Sequence, residues 1–453
     1  MKTIKICLLA LCLSVFQISV SAKTPKYVFY MIGDGMGINH AVVTEYYMHE
    51  MGMGDLNFFH FPVTGFVTTY SASKRVTDSA AAGTALSTGF KTKNGTIGQL
   101  PDSTVVQTLS EKAGLAGKGV GIITSDGLNQ ATPSAFYGHT AKRGNSDELV
   151  ADLLAADVDF AAGATFYTKE HDPEYWIAKA EEQGIKVFYG QNKYTPVRGS
   201  RVIYLSDDLS KSALAYAIDR KEGNRSLEDF TTSAIDYLYS NFKNGFFLMI
   251  EGANIDHTAH SQDAAATVKE VLDFAISVEH VLAFYRSHPD ETLIVVTADH
   301  ETGGCTISNG DLSILKDQTA SKTGITNAIA ALSKSGREVC WSEVKALLSG
   351  STGLWDKVPV SREEEVYLAE LYKKSFIDGV ENVEKDLYHS NQKIASEAVR
   401  YINSNAGFNF NTGSHTGAAV GLYAIGVGAE KLTACRDNTE IPKTVAKIAG
   451  YKQ

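Results

Sequence analysis

Six short apolar runs, separated by longer amphipathic segments, constrain the fold of this 453-residue chain more than any other feature. They are rich in β-branched and aromatic residues and apolar along their whole length, which indicates strands covered on both faces. The runs are KYVFYMIGDG (26–35), GKGVGIITS (117–125), RVIYLS (201–206), GFFLMIEG (245–252), TLIVVTADH (292–300) and GLYAIGVG (421–428). Helical patterns, the longest at 263–288, lie between them. The succession predicts an α/β fold, a doubly wound and mostly parallel sheet with helices on both faces.

The N-terminal residues have the pattern of a secretory signal peptide. Two lysines stand in MKTIK, an apolar stretch runs from 6 to 20, and Val20-Ser21-Ala22 fits a small-residue cleavage site. No later stretch approaches the about 18 to 20 apolar residues of a membrane span, so no stable membrane anchor is expected. We expect residues 1–22 to be removed and residues 23–453 to form a single domain, exported to the periplasm or outside the cell.

The segment 306–413 differs in character from the rest of the chain. It carries charged helical patterns at 361–376 and 381–405. We expect a helix-rich insertion in the domain, for which a solvated cover or a dimer contact is the usual role.

Net charge limits the classes of binding partner, and cysteine content limits the possible disulfides. The chain has 42 basic and 52 acidic residues, a formal net charge of −10. This balance argues against nucleic acid and anionic membranes as partners. Anionic small substrates stay open, because metal ions can reverse the field of one cleft. Beyond the leader, Cys305, Cys340 and Cys435 allow one disulfide with three possible pairings, among which the sequence does not choose.

Acidic and histidine side chains stand at the carboxyl ends of three apolar runs. Asp34 ends the first run, Glu251 the fourth, and Asp299 with His300 the fifth. Ligands of open parallel sheets bind at this edge. One carboxylate there is often only the solvated start of a loop, but three strands ending in this way favour a shared site.

Three further patterns are candidates for chemistry. Asp256 and His260 are four residues apart, which suits two ligands of one metal on a helical turn, although a surface ion pair has the same spacing. His415 lies in a glycine-rich turn, GSHTG. The stretch VTDSAAAGT (76–84) is either the capped start of an Ala-rich helix or a nucleophile, Ser79, at the positive end of a helix. These residues alone leave both interpretations open.

Six segments combine these patterns in one order: YMIGDGMG, VTDSAAAGTALSTGFKTKNGTIG, ATPSAFYGHTAKR, IEGANIDHTAH, VTADHETGG and SHTG. Together they resemble the alkaline phosphatase family, over about residues 26 to 304 and again from about 412. The resemblance implies an alkaline-phosphatase-like catalytic domain at 23–453. It implies hydrolysis of small-molecule phosphate monoesters through a phosphoseryl intermediate, with broad specificity and an alkaline optimum. It also allows a homodimer, which is common in the family.

The resemblance further implies roles for single residues. Ser79 matches the nucleophile, Arg143 matches the guanidinium that binds phosphate, and Asp78 would orient Arg143 or the turn. Gln130 and His257 match positions beside the bound phosphate. The family's ligands for two Zn²⁺ ions and one Mg²⁺ ion correspond, in turn, to Asp256, His260 and His415; to Asp34, Asp299 and His300; and to Asp34, Thr132 and Glu251.

Two positions depart from the family's pattern. Well-studied members carry an aspartate or a histidine where Gln130 stands, and some carry a lysine where His257 stands. Such positions tune the water network around magnesium and phosphate, so the neutral Gln130 is expected to weaken magnesium retention.

Two alternatives to a phosphomonoesterase are disfavoured by the sequence. One is a diesterase or sulfatase of the same superfamily; a sulfatase is disfavoured because Ser79 is followed by Ala-Ala-Ala. The other is an exported, catalytically silent protein that binds metal or phosphate, which is disfavoured because Ser79 and Arg143 are both present.

Overall fold

All six apolar runs form strands of one nine-stranded sheet in the computed structural model, which describes residues 23–452. The expected signal peptide at 1–22 lies outside the described residues. The strands are β1 Tyr27–Gly33, β2 Val63–Val67, β3 Gly119–Thr124, β4 Phe160–Gly163, β5 Lys186–Phe188, β6 Val202–Leu205, β7 Phe246–Gly252, β8 Thr292–Thr297, β9 Glu301–Thr302, β10 Cys305–Ile307, β11 Val383–Lys385, β12 Ser390–Gln392, β13 Phe408–Phe410, β14 His415–Thr416 and β15 Val420–Gly426.

The large sheet has the order β2-β15-β8-β1-β7-β3-β4-β6-β5. Every neighbouring pair is parallel except those of β15, which runs antiparallel to both β2 and β8. The predicted mostly parallel sheet is therefore confirmed. None of the six apolar runs corresponds to β2, β4 or β5, which are short strands.

Helices cover both faces of this sheet. They are α1 Ile38–Glu50, α2 Ser79–Thr88, α3 Leu109–Leu115, α4 Ala131–Ser134, α5 Ser146–Ala155, α6 Pro173–Glu182, α7 Leu227–Asn241, α8 Asn254–His260, α9 Ala264–Ser287, α10 Lys322–Ser333, α11 Trp341–Thr352, α12 Arg362–Tyr372, α13 Lys393–Ala406 and α14 Glu440–Ala449. The aromatic residues of β1 show the two layers. Phe29 packs edge-on against Phe284 of α9, whereas Tyr30 packs against Phe136 and donates a 3.1 Å hydrogen bond to the Leu86 carbonyl of α2.

The register of the central strands brings the predicted strand-end residues together. β1 pairs with β7 and β8, so that Ile32 lies opposite both Glu251 and Thr297. Asp34 lies two residues beyond Ile32, and Asp299 lies two residues beyond Thr297. The parallel arrangement therefore collects the carboxylates at one edge, as the strand-end pattern predicts.

The segment 306–413 packs its own hydrophobic cluster against α1 and α9. Its helical prediction at 381–405 is wrong in the first half, where β11 and β12 form an antiparallel hairpin, and α13 begins only at Lys393. The Asp386 carboxylate accepts hydrogen bonds from the main-chain N–H groups of Tyr388 (2.9 Å) and His389 (2.6 Å). Such side-chain to main-chain bonds favour a turn over a helix.

The structure bears on two further expectations, the membrane anchor and the disulfide. None of the helices between residues 23 and 452 combines the length and apolarity needed to cross a bilayer. The three cysteines of this part are free thiols: Cys305 and Cys435 are buried and Cys340 is exposed.

Candidate metal and phosphate site

Ser79 is the first residue of α2, and Asp78 is its cap. The Asp78 carboxylate accepts a 3.0 Å hydrogen bond from the Ala81 N–H, which satisfies one free donor of the helix start. The capping role therefore falls to Asp78, and the Ser79 Oγ lies 3.1 Å from His300 Nε2. A Cβ on Gly83 would come within 2.9 Å of the Ala135 Cβ, so the small residues of α2 allow it to pack closely on α4.

Asp256, His260 and His415 form the first cluster, in which one ligand atom of each lies within 4.8 Å of the others. The two Nε2 atoms of the histidines are 3.0 Å apart, and each lies beside the Asp256 carboxylate, at 3.3 Å and 3.6 Å. Each Nδ1 contacts a main-chain carbonyl: His260 that of Gly413 at 2.7 Å, and His415 that of Thr77 at 3.1 Å.

These contacts define what the first cluster can hold. A carbonyl only accepts hydrogen bonds, so each Nδ1 carries the hydrogen and each Nε2 presents a lone pair. Two lone pairs facing each other beside a buried carboxylate require a cation between them, either a proton or a metal ion. One carboxylate oxygen and two imidazole nitrogens, fixed by hydrogen bonds at their far sides, suit Zn²⁺.

Asp34, Asp299 and His300 form the second cluster. His300 Nε2 lies 3.1 Å from an Asp299 oxygen and 3.5 Å from an Asp34 oxygen. The Thr302 hydroxyl donates to Asp256 and so accepts from His300 Nδ1, at 3.3 Å, which again turns the lone pair of Nε2 into the site. The Asp34 Oδ1 and Asp299 Oδ2 atoms are buried without a hydrogen-bond partner. These converging acceptors suit a second cation.

Electrostatics of the second cluster agree with this chemistry. Burial and the charge of Asp256 raise the pKa of Asp299 to about 7. Burial, with Asp299 and Asp256, also raises the pKa of Asp34 well above its ordinary value. Burial lowers the pKa of His300 well below its ordinary value, so the imidazole is neutral. A divalent cation would stabilise the ionised carboxylates.

Thr132 and Glu251 line the same small cavity as Asp34. The Thr132 hydroxyl is 3.2 Å from the Asp34 Oδ2 atom, and the Glu251 carboxylate accepts a hydrogen bond from Thr124. Burial raises the pKa of Glu251 to about 8. The donors are all oxygens, which suits Mg²⁺ rather than Zn²⁺.

The remaining predicted residues line the same small cavity. The Arg143 guanidinium lies 3.4 Å from the second oxygen of Asp78, which also accepts from the Gly95 N–H at 2.9 Å. His257 Nε2 lies 3.1 Å from the Asp126 carboxylate. Gln130 precedes α4, and its side chain makes no capping hydrogen bond. The structure thus brings together all twelve predicted site residues: Asp34, Ser79, Gln130, Thr132, Arg143, Glu251, Asp256, His257, His260, Asp299, His300 and His415.

Two residues at this site were missed by the sequence analysis. Asp126 is buried beside His257 and follows β3 in the same way that Asp34 follows β1, so the strand-end pattern could have found it. Tyr388 is carried on the turn between β11 and β12, and its hydroxyl donates a 2.9 Å hydrogen bond to Asp256. No sequence pattern pointed to Tyr388.

Comparisons with known proteins identify the family of the chain. The family model described as alkaline phosphatase matches residues 25–162 and 175–451. Alkaline phosphatase 4 of Bacillus subtilis is 31% identical over 448 residues, which cover 93% of this chain and 88% of that protein. The alkaline phosphatase of Escherichia coli K12 is 29% identical over 338 residues, covering 62% of this chain and 71% of its own.

A solved structure extends the likeness to the fold. The cold-active alkaline phosphatase of a psychrophilic Shewanella species has a TM-score of 0.78 at 27% identity, covering 93% of this chain and 99% of that one. Sequence and structure thus agree over nearly the whole described chain. The chain belongs to the alkaline phosphatase family, whose members are metal-dependent enzymes that hydrolyse phosphate monoesters.

Proposed function

We propose that this chain hydrolyses phosphate monoesters in two steps, through a phosphoserine formed at Ser79, with two zinc ions and one magnesium ion bound at the three sites described. The observation that carries the proposal is the position of the Ser79 hydroxyl. It lies 3.1 Å from His300, at the edge of the second cluster, and lines the same small cavity as Arg143. A nucleophile, a cationic clamp and two cation sites thus share one place where a phosphate can bind.

Arg143 and Asp78 have different roles in substrate binding. Arg143 presents a planar fork of N–H donors that matches two oxygens of a phosphate, and Asp78 holds that fork in place. Ser79 is the first residue of α2, and the start of a helix favours negative charge nearby. Ser79 is thereby placed opposite the ester oxygen that leaves.

The reaction has two steps at phosphorus. The Ser79 oxygen attacks phosphorus, the bond from phosphorus to the ester oxygen breaks, and the alcohol departs with a proton while the serine loses one. Water then attacks the phosphoserine, inorganic phosphate is released, and the Ser79 hydroxyl is restored. Each step inverts the configuration at phosphorus, so the overall reaction retains it.

The ligand atoms of each cluster indicate which metal ion it would hold. Asp256, His260 and His415 would hold one zinc ion, Asp34, Asp299 and His300 the other, and Asp34, Thr132 and Glu251 a magnesium ion. When bound, these ions supply Lewis-acid stabilisation of the charge on the attacking and leaving oxygens. Residues 1–22 fit export to the periplasm or medium, for which N-terminal sequencing of the mature protein is the test.

Trapping of the intermediate tests the proposal. The zinc-loaded protein is quenched in acid during turnover of p-nitrophenyl phosphate, and the peptide containing Ser79 is examined for an added phosphate by mass spectrometry. We expect phosphate on Ser79, and a kcat for Ser79→Ala lower by on the order of 10⁴ or more. Ser87→Ala, on the same helix with its hydroxyl bonded to the Thr84 carbonyl, is the matched control and should keep its activity.

A comparison of substrates tests the ester class. We expect kcat/KM for p-nitrophenyl phosphate to exceed that for its bis-ester by a large factor. Turnover without phosphate on Ser79, or full activity of Ser79→Ala, would overturn the phosphoserine step. A preference for the bis-ester would overturn the monoester assignment.

A further inference from the structure

A second and much larger cavity opens directly beside the candidate phosphate site. Its volume is about 1290 Å³. Four side chains border both this cavity and the small metal and phosphate cavity: Gln130, Arg143, His257 and Tyr388. An ester whose phosphate lies against Arg143 and Ser79 would therefore extend its alcohol into the larger cavity.

Tyr388 forms the wall between the two cavities. One face of its ring lies on the His257 imidazole, with ring centroids 3.8 Å apart, and its hydroxyl donates to Asp256. The side chain is nevertheless 39% exposed. Tyr388 is thus held by His257 and Asp256 on one side and still presents surface to the larger cavity, which it lines.

Hydrogen bonds to Asp386 fix the turn that carries Tyr388. Asp386, two residues earlier, accepts a 2.7 Å hydrogen bond from the Ser261 hydroxyl just after α8, in addition to the main-chain bonds of the turn. The hairpin is therefore attached to the helix that carries Asp256 and His260. A ring held in this way loses little conformational entropy when a ligand stacks on it.

Other surfaces of the large cavity fit a bulky alcohol. Tyr167, Leu214 and Tyr216 add aromatic and apolar area. The lining also carries charged side chains of both signs: Lys211, Lys221, Asp207, Asp208 and Asp219. Ligand sites for drug-sized molecules occupy roughly 300 to 1000 Å³, so a space of this size exceeds the needs of a small alcohol.

We propose that this cavity is a leaving-group subsite selective for phosphate monoesters whose alcohol carries a flat aromatic group, and that Tyr388 is its specificity-determining residue through stacking of that group on its ring. The inference rests on the proposed function, because it assumes that the ester's phosphate binds between Ser79 and Arg143. Stacking of a flat ring on a tyrosine is a favourable, geometry-dependent contact that small alcohols cannot make.

The test compares two esters that differ only in the aromatic group. Adenosine 5′-monophosphate and ribose 5-phosphate have the same primary alcohol at the scissile bond, so the chemistry at phosphorus is matched. We expect wild-type kcat/KM to favour adenosine 5′-monophosphate by about tenfold. Tyr388→Leu should bring this ratio close to one, whereas Tyr388→Phe, which keeps the ring and loses only the hydroxyl, should keep it.

A matched control separates the subsite from a general effect of losing a tyrosine. Tyr175 is also 39% exposed and stacks on a histidine, His171, at 4.0 Å, but it lies on α6 and does not line the cavity. Tyr175→Leu should leave the ratio unchanged. A ratio that falls equally in Tyr175→Leu and Tyr388→Leu would overturn the assignment to Tyr388.

The remaining outcomes are also decisive. A wild-type ratio near one, or a Tyr388→Leu variant that keeps the tenfold preference, would overturn the inference while the proposed function stands. Failure of the wild-type protein to release phosphate from either ester would instead count against the proposed function. If Tyr388→Leu does not fold, product inhibition of the wild type decides: adenosine should inhibit about tenfold more tightly than ribose, and equal inhibition would overturn the inference.

Discussion

The Nε2 atoms of His260 and His415 lie 3.0 Å apart, although 155 residues separate them in the chain. Both rings are fixed through Nδ1 by main-chain carbonyls, so their lone pairs meet beside the Asp256 carboxylate. In the folded chain this arrangement is favourable only around a cation. Metal binding at this cluster should therefore stabilise the folded state.

The first prediction concerns metal content and stability. Wild-type protein should bind two zinc ions per chain, and His415→Gln should bind one of them at least about 100-fold more weakly, because a third of the first ligand set is lost. Chelation should abolish activity and lower the Tm of the wild type. His280→Gln, a half-exposed histidine on α9 that pairs with Glu228, is the control. Metal analysis after dialysis and thermal unfolding provide the measurements; undiminished zinc binding by His415→Gln would contradict the assignment.

The second prediction separates two roles of Asp78. One oxygen caps α2 through Ala81, and the other faces Arg143. Asp78→Asn can keep the cap but removes the charge, so we expect little change in Tm and a rise in KM of about threefold, as for a partly exposed ion pair. Asp78→Ala should in addition lower the free energy of unfolding by about 1 kcal/mol.

Substitution of Arg143 should weaken phosphate binding more than substitution of Asp78 does. Arg143→Ala is expected to lower kcat/KM by about 100-fold, and Arg143→Lys should recover only part of this loss, because an ammonium group lacks the planar fork. The inhibition constant of inorganic phosphate should rise in parallel. An unchanged phosphate inhibition constant in Arg143→Ala would remove the arginine from the phosphate site.

Activity should also depend on magnesium. Gln130 contributes a neutral amide to the cavity that contains Thr132 and Glu251, where a carboxylate would attract a hydrated cation more strongly. Activity of the zinc-loaded wild type should therefore depend on added magnesium. Gln130→Asp should lower the half-activating concentration by about tenfold. Gln183→Asp, on the surface after α6, serves as the control. Full wild-type activity after exhaustive removal of magnesium alone would show that the third site is dispensable.

Asp159, a carboxyl away from the site, should make stability depend on pH. Burial raises the pKa of Asp159 to about 6, although the Val120 N–H and Arg201 act in the opposite direction. Between about pH 4 and pH 6 the folded state therefore binds more protons here than the unfolded state. The contribution of this carboxyl to stability is complete below pH 4 and is lost as the pH rises through 6.

Asp159→Asn removes this titration while keeping an acceptor for Val120. The variant should gain stability relative to the wild type as the pH rises from 4 to 7, by about 2 kcal/mol in total. Denaturant unfolding of both proteins across this range measures the difference. A difference that stays constant with pH would mean that the Asp159 carboxyl titrates normally.

The sequence could predict much of the site because the site follows the sheet. Asp34, Glu251 and Asp299 each end a buried parallel strand, and parallel register places such ends at one edge. Asp126 obeys the same rule after β3. Its contact with His257, however, depends on the turn into α4 and on the course of α8, which no local pattern specifies.

Tyr388 shows why the rest could not be predicted. The charged residues around it favour a solvated helix, but Asp386 closes a turn there and the hairpin carries the ring to Asp256, 132 residues earlier in the chain. A long-range contact of this kind is decided by packing of the segment 306–413 on α1 and α9. Local propensity contains no information about it.

The last prediction concerns the attachment of the hairpin. Burial acts to raise the pKa of Asp386, but hydrogen bonds from His389 and Ser261 outweigh it and lower the pKa to about 2. The carboxylate therefore stays ionised at every pH at which the enzyme would be assayed. It accepts from the Ser261 hydroxyl and from the N–H groups of the turn at the same time.

Asp386→Ala removes all of these acceptors but leaves the Tyr388 ring in the chain. If attachment to α8 is what holds the ring at the cavity, this variant should lose most of the preference for adenosine 5′-monophosphate over ribose 5-phosphate. It should also be cleaved faster by a protease between residues 383 and 392, because the turn has lost its hydrogen bonds. Glu384→Ala, an exposed carboxylate on the same hairpin, should change neither property. A variant that is cleaved faster yet keeps its substrate preference would mean that Tyr388 is held in place by its contacts with His257 and Asp256 alone.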